Sequence, residues 1–290
     1  MFEQLGLIGC GLMGGSFALA AKRAGLVRRV VGYSKSPSTT ERARQLGVID
    51  VEAPSALQAV SGSDLVLLAV PVAATETTFK SIRHLLTPEM LVVDVGSTKR
   101  DVVDAARRAL KGAVGNFVPC HPITGREVSG VENADVELYK GKPVILTPIE
   151  RTLTKKIDQA EAMWQALGCR VSRMSPESHD AAFAAVSHLP HLIAFALMMS
   201  IAGQPRGKEF LSLAGPGFRD FSRIAASDPH MWRDVLIANR EELAEQMRHF
   251  QQALAQFEQL IAAGQADALE QLITQASHAR ATWRLTPGAQ

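Results

Sequence analysis

Cysteine is scarce in this sequence. There are three in 290 residues (Cys10, Cys120, Cys169), odd in number, widely spaced and without a CxxC pair. That spacing excludes a disulfide framework and suggests no zinc site, so no metal is expected. A one-sided charge is lacking too. Lys plus Arg (31) against Asp plus Glu (29) leaves a formal net charge of +2. A surface that tracks phosphates needs a larger basic excess, so no nucleic-acid partner is expected. The start, Met1-Phe2-Glu3-Gln4, has no basic segment ahead of an apolar one. No signal peptide and a cytoplasmic location are therefore expected. Internal repeats and low-complexity tracts are absent. One apolar stretch, residues 181–202, has the length of a membrane span, but it carries Ser187, His188, Pro190, His191 and Ser200. That polar load is expensive in lipid, and the stretch reads as a helix in a domain core or subunit interface.

What is present is an ordinary globular composition, 47% hydrophobic and 21% charged, which excludes a largely disordered chain. At about 100–200 residues per domain, the length suggests two. Over the first part, apolar runs at 5–8, 30–33, 65–70, 91–95, 116–119, 144–147 and 170–173 alternate with helical patterns at 16–24, 40–46, 75–86, 100–110 and 153–167. That alternation predicts an α/β domain with a mostly parallel sheet covered on both faces. The pattern changes after Met174. Ser175-Pro176-Glu177 reads as a helix start, and helical periodicity without a strand continues to about Thr282. Residues 203–217, with four Gly and two Pro, read as loop at both ends, and the tail 285–290 as frayed. The expected division is a Rossmann-type dinucleotide-binding domain over 1–174 and an all-α domain over 175–290.

The first apolar run leads directly into Gly9-Cys10-Gly11-Leu12-Met13-Gly14. A bare GxGxxG is weak evidence, but one that leaves a strand and opens a helix is a dinucleotide fingerprint. Gly9 permits the tight turn, Gly11 lets a pyrophosphate reach the backbone, and Gly14 lets helix and strand pack closely. The helix start, Leu12 and Met13 included, offers free N–H groups to phosphate. Ser34 stands 20 residues past Gly14, where an NAD-binding chain usually has Asp or Glu, and no carboxylate follows until Glu41. Ser34 and Lys35 can bind a 2′-phosphate that a carboxylate would repel. NADP is therefore preferred over NAD as the expected cofactor. Val70 and Pro71, at the end of a later strand, form an expected cofactor wall.

Ligands sit at the C-terminal strand ends of such sheets. Two loops there carry candidates for chemistry: Asp94-Val95-Gly96-Ser97-Thr98-Lys99 and Cys120-His121-Pro122-Ile123-Thr124-Gly125. A histidine in that place can take a proton from a substrate hydroxyl while hydride leaves the same carbon. A structural loop histidine is the competing reading.

Further motifs carry a resemblance: His121-Pro122-Ile123-Thr124-Gly125-Arg126-Glu127-Val128-Ser129-Gly130-Val131-Glu132, Gly141-Lys142-Pro143-Val144-Ile145-Leu146-Thr147-Pro148, Val186-Ser187-His188-Leu189-Pro190-His191, Gly217-Phe218-Arg219-Asp220-Phe221-Ser222-Arg223-Ile224-Ala225 and Asp228-Pro229-His230-Met231-Trp232-Arg233. In order and over about residues 5–260, these resemble the prephenate/arogenate dehydrogenase family. The resemblance implies oxidative decarboxylation of prephenate or arogenate with a nicotinamide cofactor, in tyrosine biosynthesis, by a homodimer joined through its helical domain. It implies a catalytic base at His121, with Ser97 helping to hold the reacting oxygen and His121. It also implies that Arg223 binds a substrate carboxylate, that His191 lies near the substrate side chain, and that Glu127 sits at the pocket mouth as a partner for Arg223. His188 and Trp232 are expected to pack. Arg126 departs from the small residue common in relatives. No fused chorismate mutase and no C-terminal regulatory domain are expected. The competing readings are another NADP-dependent two-domain hydroxyacid or imino-acid reductase, which needs neither His121-Pro122 nor the Arg223 segment, and a catalytically dead nucleotide sensor.

Overall fold

The computed structural model describes residues 1–284; the tail expected to fray, 285–290, lies outside them. In the first part, β1 (Phe2–Ile8), α1 (Leu12–Arg23), β2 (Val27–Tyr33), α2 (Pro37–Gln45), β3 (Val51–Glu52), α3 (Ala56–Val60), β4 (Leu65–Leu68), α4 (Thr75–Ile82), β5 (Leu91–Asp94), α5 (Arg100–Leu110) and β6 (Phe117–Val118) follow one another. The six strands form one parallel sheet in the order β3-β2-β1-β4-β5-β6. The strand order reverses beside β1, which opens a crevice at the C-terminal ends of β1 and β4. Every residue of β4 and β5 is buried, as strands covered on both faces must be. Alternation along them sends Leu65, Leu67, Leu91 and Val93 into one core with Phe17 and Trp164, and Val66, Leu68 and Val92 into another with Phe79 and Phe117.

A second, three-stranded sheet follows. β7 (Cys120–Pro122) runs antiparallel to β8 (Pro143–Leu146), and after α6 (Thr154–Ala166), β9 (Arg170–Arg173) joins β8 in parallel. This corrects two expectations. The strand expected over 116–119 is broken at Pro119, which has no N–H for a ladder, and β6 ends at Val118. His121 therefore stands on β7, paired with Ile145, and not on a loop. β3 and α3 are additions too short for periodicity to reveal.

The second part is helical: α7 (Pro176–Phe183), a π-turn (Ala184–His188), α8 (Leu189–Ala202), α9 (Gly207–Ser212), α10 (Pro216–Ser222), α11 (Pro229–Ala238), α12 (Arg240–Ala262) and α13 (Ala266–Thr282). Ser175 caps α7 by accepting the Ser178 N–H at 3.1 Å, and Asp228 caps α11 by accepting the Met231 N–H at 2.8 Å. The π-turn precedes Pro190, whose ring crowds the carbonyl of residue 186; widening the helix there relieves the clash. Residues 203–206 and 213–215 are non-helical, as expected of the ends of 203–217, and the departure is confined to the last two residues. Between these runs lies α9, and Pro216 and Gly217 already belong to α10, Pro being suited to a first helical position. The helical part docks through α7 on α5, and through α11 on the turn 72–74 that follows Pro71.

One helix among the described residues, Pro176–Ala202, is long and apolar enough to cross a membrane, with 22% of its apolar window buried. The stretch expected to lie in a domain core or subunit interface is thus largely surface in the single chain. Val186 and Met199 are 72% and 74% exposed, and Leu213 and Ile237 of the helical part are open as well.

Candidate active site

The glycine loop has the shape a dinucleotide needs. Gly9 has φ +100°, where side chains are strained, and a Cβ there would lie 2.1 Å from the Ala69 carbonyl oxygen. A Cβ on Gly14 would lie 2.0 Å from the Gly9 oxygen, whereas one on Gly11 meets nothing within 4 Å. The loop therefore closes against the end of β4 and stays open on the Gly11 side. Leu12 and Met13 form the first turn of α1, and no side chain caps it, so its N–H groups remain for an anion. Val70 is half-buried and Pro71 exposed on the opposite lip. The Ser34 hydroxyl accepts the Cys10 N–H at 2.9 Å, tying the end of β2 to the loop, and Lys35 is exposed beside it. These residues fit a nicotinamide dinucleotide. Burial pushes the Cys10 thiol up to about 11, with only partial relief from Ser34, so it is an inert packing group. The segment between β7 and β8 straps across α1: Tyr139 donates to the Met13 carbonyl at 2.7 Å, Ser16 accepts the Asp135 N–H at 2.9 Å, and Arg23 pairs with Glu137.

At the end of β5, Asp94 and Lys99 form a fully buried ion pair at 2.5 Å. Between them they grip both backbone polar groups of one residue of β7. Asp94 accepts the Cys120 N–H at 2.8 Å and Lys99 donates to the Cys120 carbonyl at 2.7 Å. His121, the next residue, is half-buried against the Phe183 ring at 4.8 Å. Its Nδ1 lies 2.7 Å from Nε2 of His179, and His179 Nδ1 lies 2.7 Å from Asp180. Burial, then the neighbouring His179, Lys99 and His188, hold His121 well below its ordinary value of 6.5. Its imidazole is therefore neutral and available as a base at pH 7. Ser97 is half-buried in the loop after β5. No side-chain hydrogen bond joins it to His121; the ring is held by His179 instead.

The helical part supplies the rest. His188, on the π-turn, is 1% exposed and receives the Asn239 amide at 3.0 Å, while that amide also donates to the Asp180 carbonyl at 2.8 Å. Burial lowers His188 to about 4, in keeping with the packing role expected of it. His191 donates from Nδ1 to the Ser187 carbonyl at 2.9 Å and stacks on Trp232 at 3.6 Å. Arg223 forms an ion pair with Glu127, reaching from the end of α10 to the strap, and both act on the His191 titration. Arg126 is turned away, paired with Asp135. His179, Asp180, Asn239 and the grip of Lys99 are absent from the sequence-based expectations. The only local signal was the adjacent His and Asp in the first turns of a capped helix.

Residues 17–173 match the prephenate dehydrogenase nucleotide-binding domain, and residues 175–275 match the prephenate dehydrogenase dimerization domain. The chain is 33% identical to a cyclohexadienyl dehydrogenase of Zymomonas mobilis over 282 residues, 97% of this chain and 96% of that protein. It superposes with TM-score 0.90 and 36% identity on a prephenate dehydrogenase of Aquifex aeolicus, solved with hydroxyphenyl propionate and NAD+, over 97% of each chain. An arogenate dehydrogenase of Synechocystis gives TM-score 0.81 at 28% identity, covering 97% of this chain and 100% of that one. With both of its parts matched in order, the chain belongs to the prephenate dehydrogenase family.

Proposed function

We propose that the protein oxidatively decarboxylates prephenate, arogenate or both, in the synthesis of tyrosine. The observation that carries this reading is His121 on β7, at the crevice of a dinucleotide fold and held by His179, beside a helical part that brings His191 and Arg223, the latter paired with Glu127 of the strap. A bound nicotinamide supplies the hydride acceptor. Glycines 9, 11 and 14 and the start of α1 hold its pyrophosphate, and Val70 and Pro71 line the far lip. His121 takes the proton of the ring hydroxyl as hydride leaves the same carbon, and Ser97 helps hold that oxygen. The Arg223 guanidinium, offered to a substrate carboxylate in exchange for Glu127, suits bidentate recognition. His191, fixed by Ser187 and Trp232, meets the substrate side chain. Loss of carbon dioxide aromatises the ring and draws the reaction forward.

Acid should inactivate the enzyme only late. His121 must be unprotonated to act, and its lowered pKa keeps it so below the ordinary value of 6.5. The acid limb of kcat/KM, which reports the free enzyme, is expected below pH 6.5; a limb centred at or above that value contradicts the assignment.

NADP preference over NAD is the finer proposal, supported by Ser34 and exposed Lys35 at the end of β2. Ser34→Asp preserves an acceptor for the Cys10 N–H but adds a charge beside the site of a 2′-phosphate. Repulsion of about 1–3 kcal/mol, screened by salt, lowers the NADP-to-NAD ratio of kcat/KM by about tenfold to a hundredfold. An unchanged ratio, or a wild type that already favours NAD, overturns this reading.

The exposed large apolar side chains of the helical part, Val186, Met199, Leu213 and Ile237 among them, support a homodimer formed through it. Light scattering at micromolar concentration should give twice 31.3 kDa; a monomer counts against it.

A further inference from the structure

The buried pair His179–Asp180 at the start of α7 has no part in the function above, yet it touches both the base and the joint between the two parts of the chain. Both residues are closed off from solvent, at 0% and 1% exposure. Asp180 accepts the Lys99 N–H through Oδ1 and the Arg100 N–H through Oδ2, each at 2.9 Å, and His179 adds a third contact at Oδ1. Burial acts to raise this carboxyl, but the His179 bond and the two backbone N–H groups outweigh it and hold the pKa below the ordinary value. An ionised carboxylate only accepts, so the proton between Asp180 and His179 belongs to His179 Nδ1.

His179 is itself neutral, because burial lowers its pKa more than Asp180 raises it. A neutral imidazole with a proton on Nδ1 has a lone pair on Nε2. That Nε2 is the atom 2.7 Å from His121 Nδ1, so His121 is the donor in this contact and its own Nε2 is left unprotonated. Other charged and titratable groups face the pair: Lys99 from the start of α5, Asp94 from β5, Asp101 from α5 and His188 from the π-turn. Lys99 is already neutralised by Asp94. Asp180 is the anion that bonds directly to the histidine chain.

We propose that His179, oriented by Asp180, is a positioning residue that fixes His121 in the Nδ1–H tautomer and so presents its Nε2 as the base. The inference rests on the proposed function for its kinetic consequence, but the tautomer itself does not. The same order of roles, carboxylate to imidazole to reacting group, is how an acid orients a general base elsewhere; here a second imidazole stands between. The competing role for His179 is packing, since it stacks on Phe183 at 4.5 Å.

Two substitutions separate the roles because they keep opposite halves of the side chain. His179→Gln keeps a donor toward Asp180 and an acceptor for His121 but cannot stack. His179→Phe keeps the stacking ring and loses both bonds. Positioning predicts that His179→Phe lowers kcat by about 10²–10³, a large part of a general base's contribution, with KM within a few fold. It predicts that His179→Gln stays within about tenfold of wild type. The reverse order, or equal kcat in both variants, overturns the proposal. Imidazole nitrogen NMR on the unliganded wild type decides independently, even if His179→Phe does not fold. The proposal requires His121 protonated on Nδ1, and a proton on Nε2 overturns it. A wild type that turns over neither prephenate nor arogenate would refute the proposed function while leaving the tautomer result to stand or fall by itself.

Discussion

His121→Asn should lower kcat by about 10²–10⁴, the contribution expected of a positioned general base, or about 3–5 kcal/mol in the barrier. The asparagine amide can still donate toward His179, so the wall of the site keeps its shape. It has no basic nitrogen to take the hydroxyl proton. Cofactor affinity should stay within a few fold, because the glycine loop follows β1 and His121 sits on β7 of the other sheet. Steady-state kinetics and cofactor titration of the purified variant test both statements. A kcat within a few fold of wild type would remove His121 from the role of base.

Lys99→Met should be the most destabilising single change near the site. Lys99 is 0% exposed and bonds Asp94 and the Cys120 carbonyl. The substitution leaves a buried carboxylate without its counter-ion and a buried carbonyl without its donor. Breaking such a pair costs about 3–5 kcal/mol, a large share of the roughly 5–15 kcal/mol that holds a typical domain folded. Thermal unfolding should shift down by about 10 °C. Activity should fall as well, since the gripped residue is the one before His121. Asp94→Asn in the same chain should restore part of the stability by removing the unpaired charge. A Tm unchanged by Lys99→Met would show that the pair does not hold this strand.

The glycine loop was legible because its chemistry is local. Gly9 needs a positive φ and Gly14 the absence of a Cβ, and both demands are written at fixed spacing. The helix start at Ser175 was legible for the same reason, a short polar cap followed by Pro. His121 could be picked out by its place after a strand, but not as a strand residue. Its pairing with Ile145 spans 24 positions, and no periodicity in two or three residues announces β7. His179 was missed because its meaning depends on His121, 58 residues earlier, and on backbone N–H groups of α5. The apolar stretch 181–202 was read as needing cover. Among the described residues it has little, and what covers a helix face is set by distant contacts that sequence periodicity does not reach.

The most direct test is absorbance at the reduced-nicotinamide band, with prephenate and with arogenate, each with NAD and with NADP, on the purified protein. Reduced nicotinamide is expected with at least one of the two substrates, in step with release of carbon dioxide, faster with NADP, and nearly abolished in His121→Asn. A folded protein that binds the cofactor and reduces it with neither substrate would contradict the proposed function.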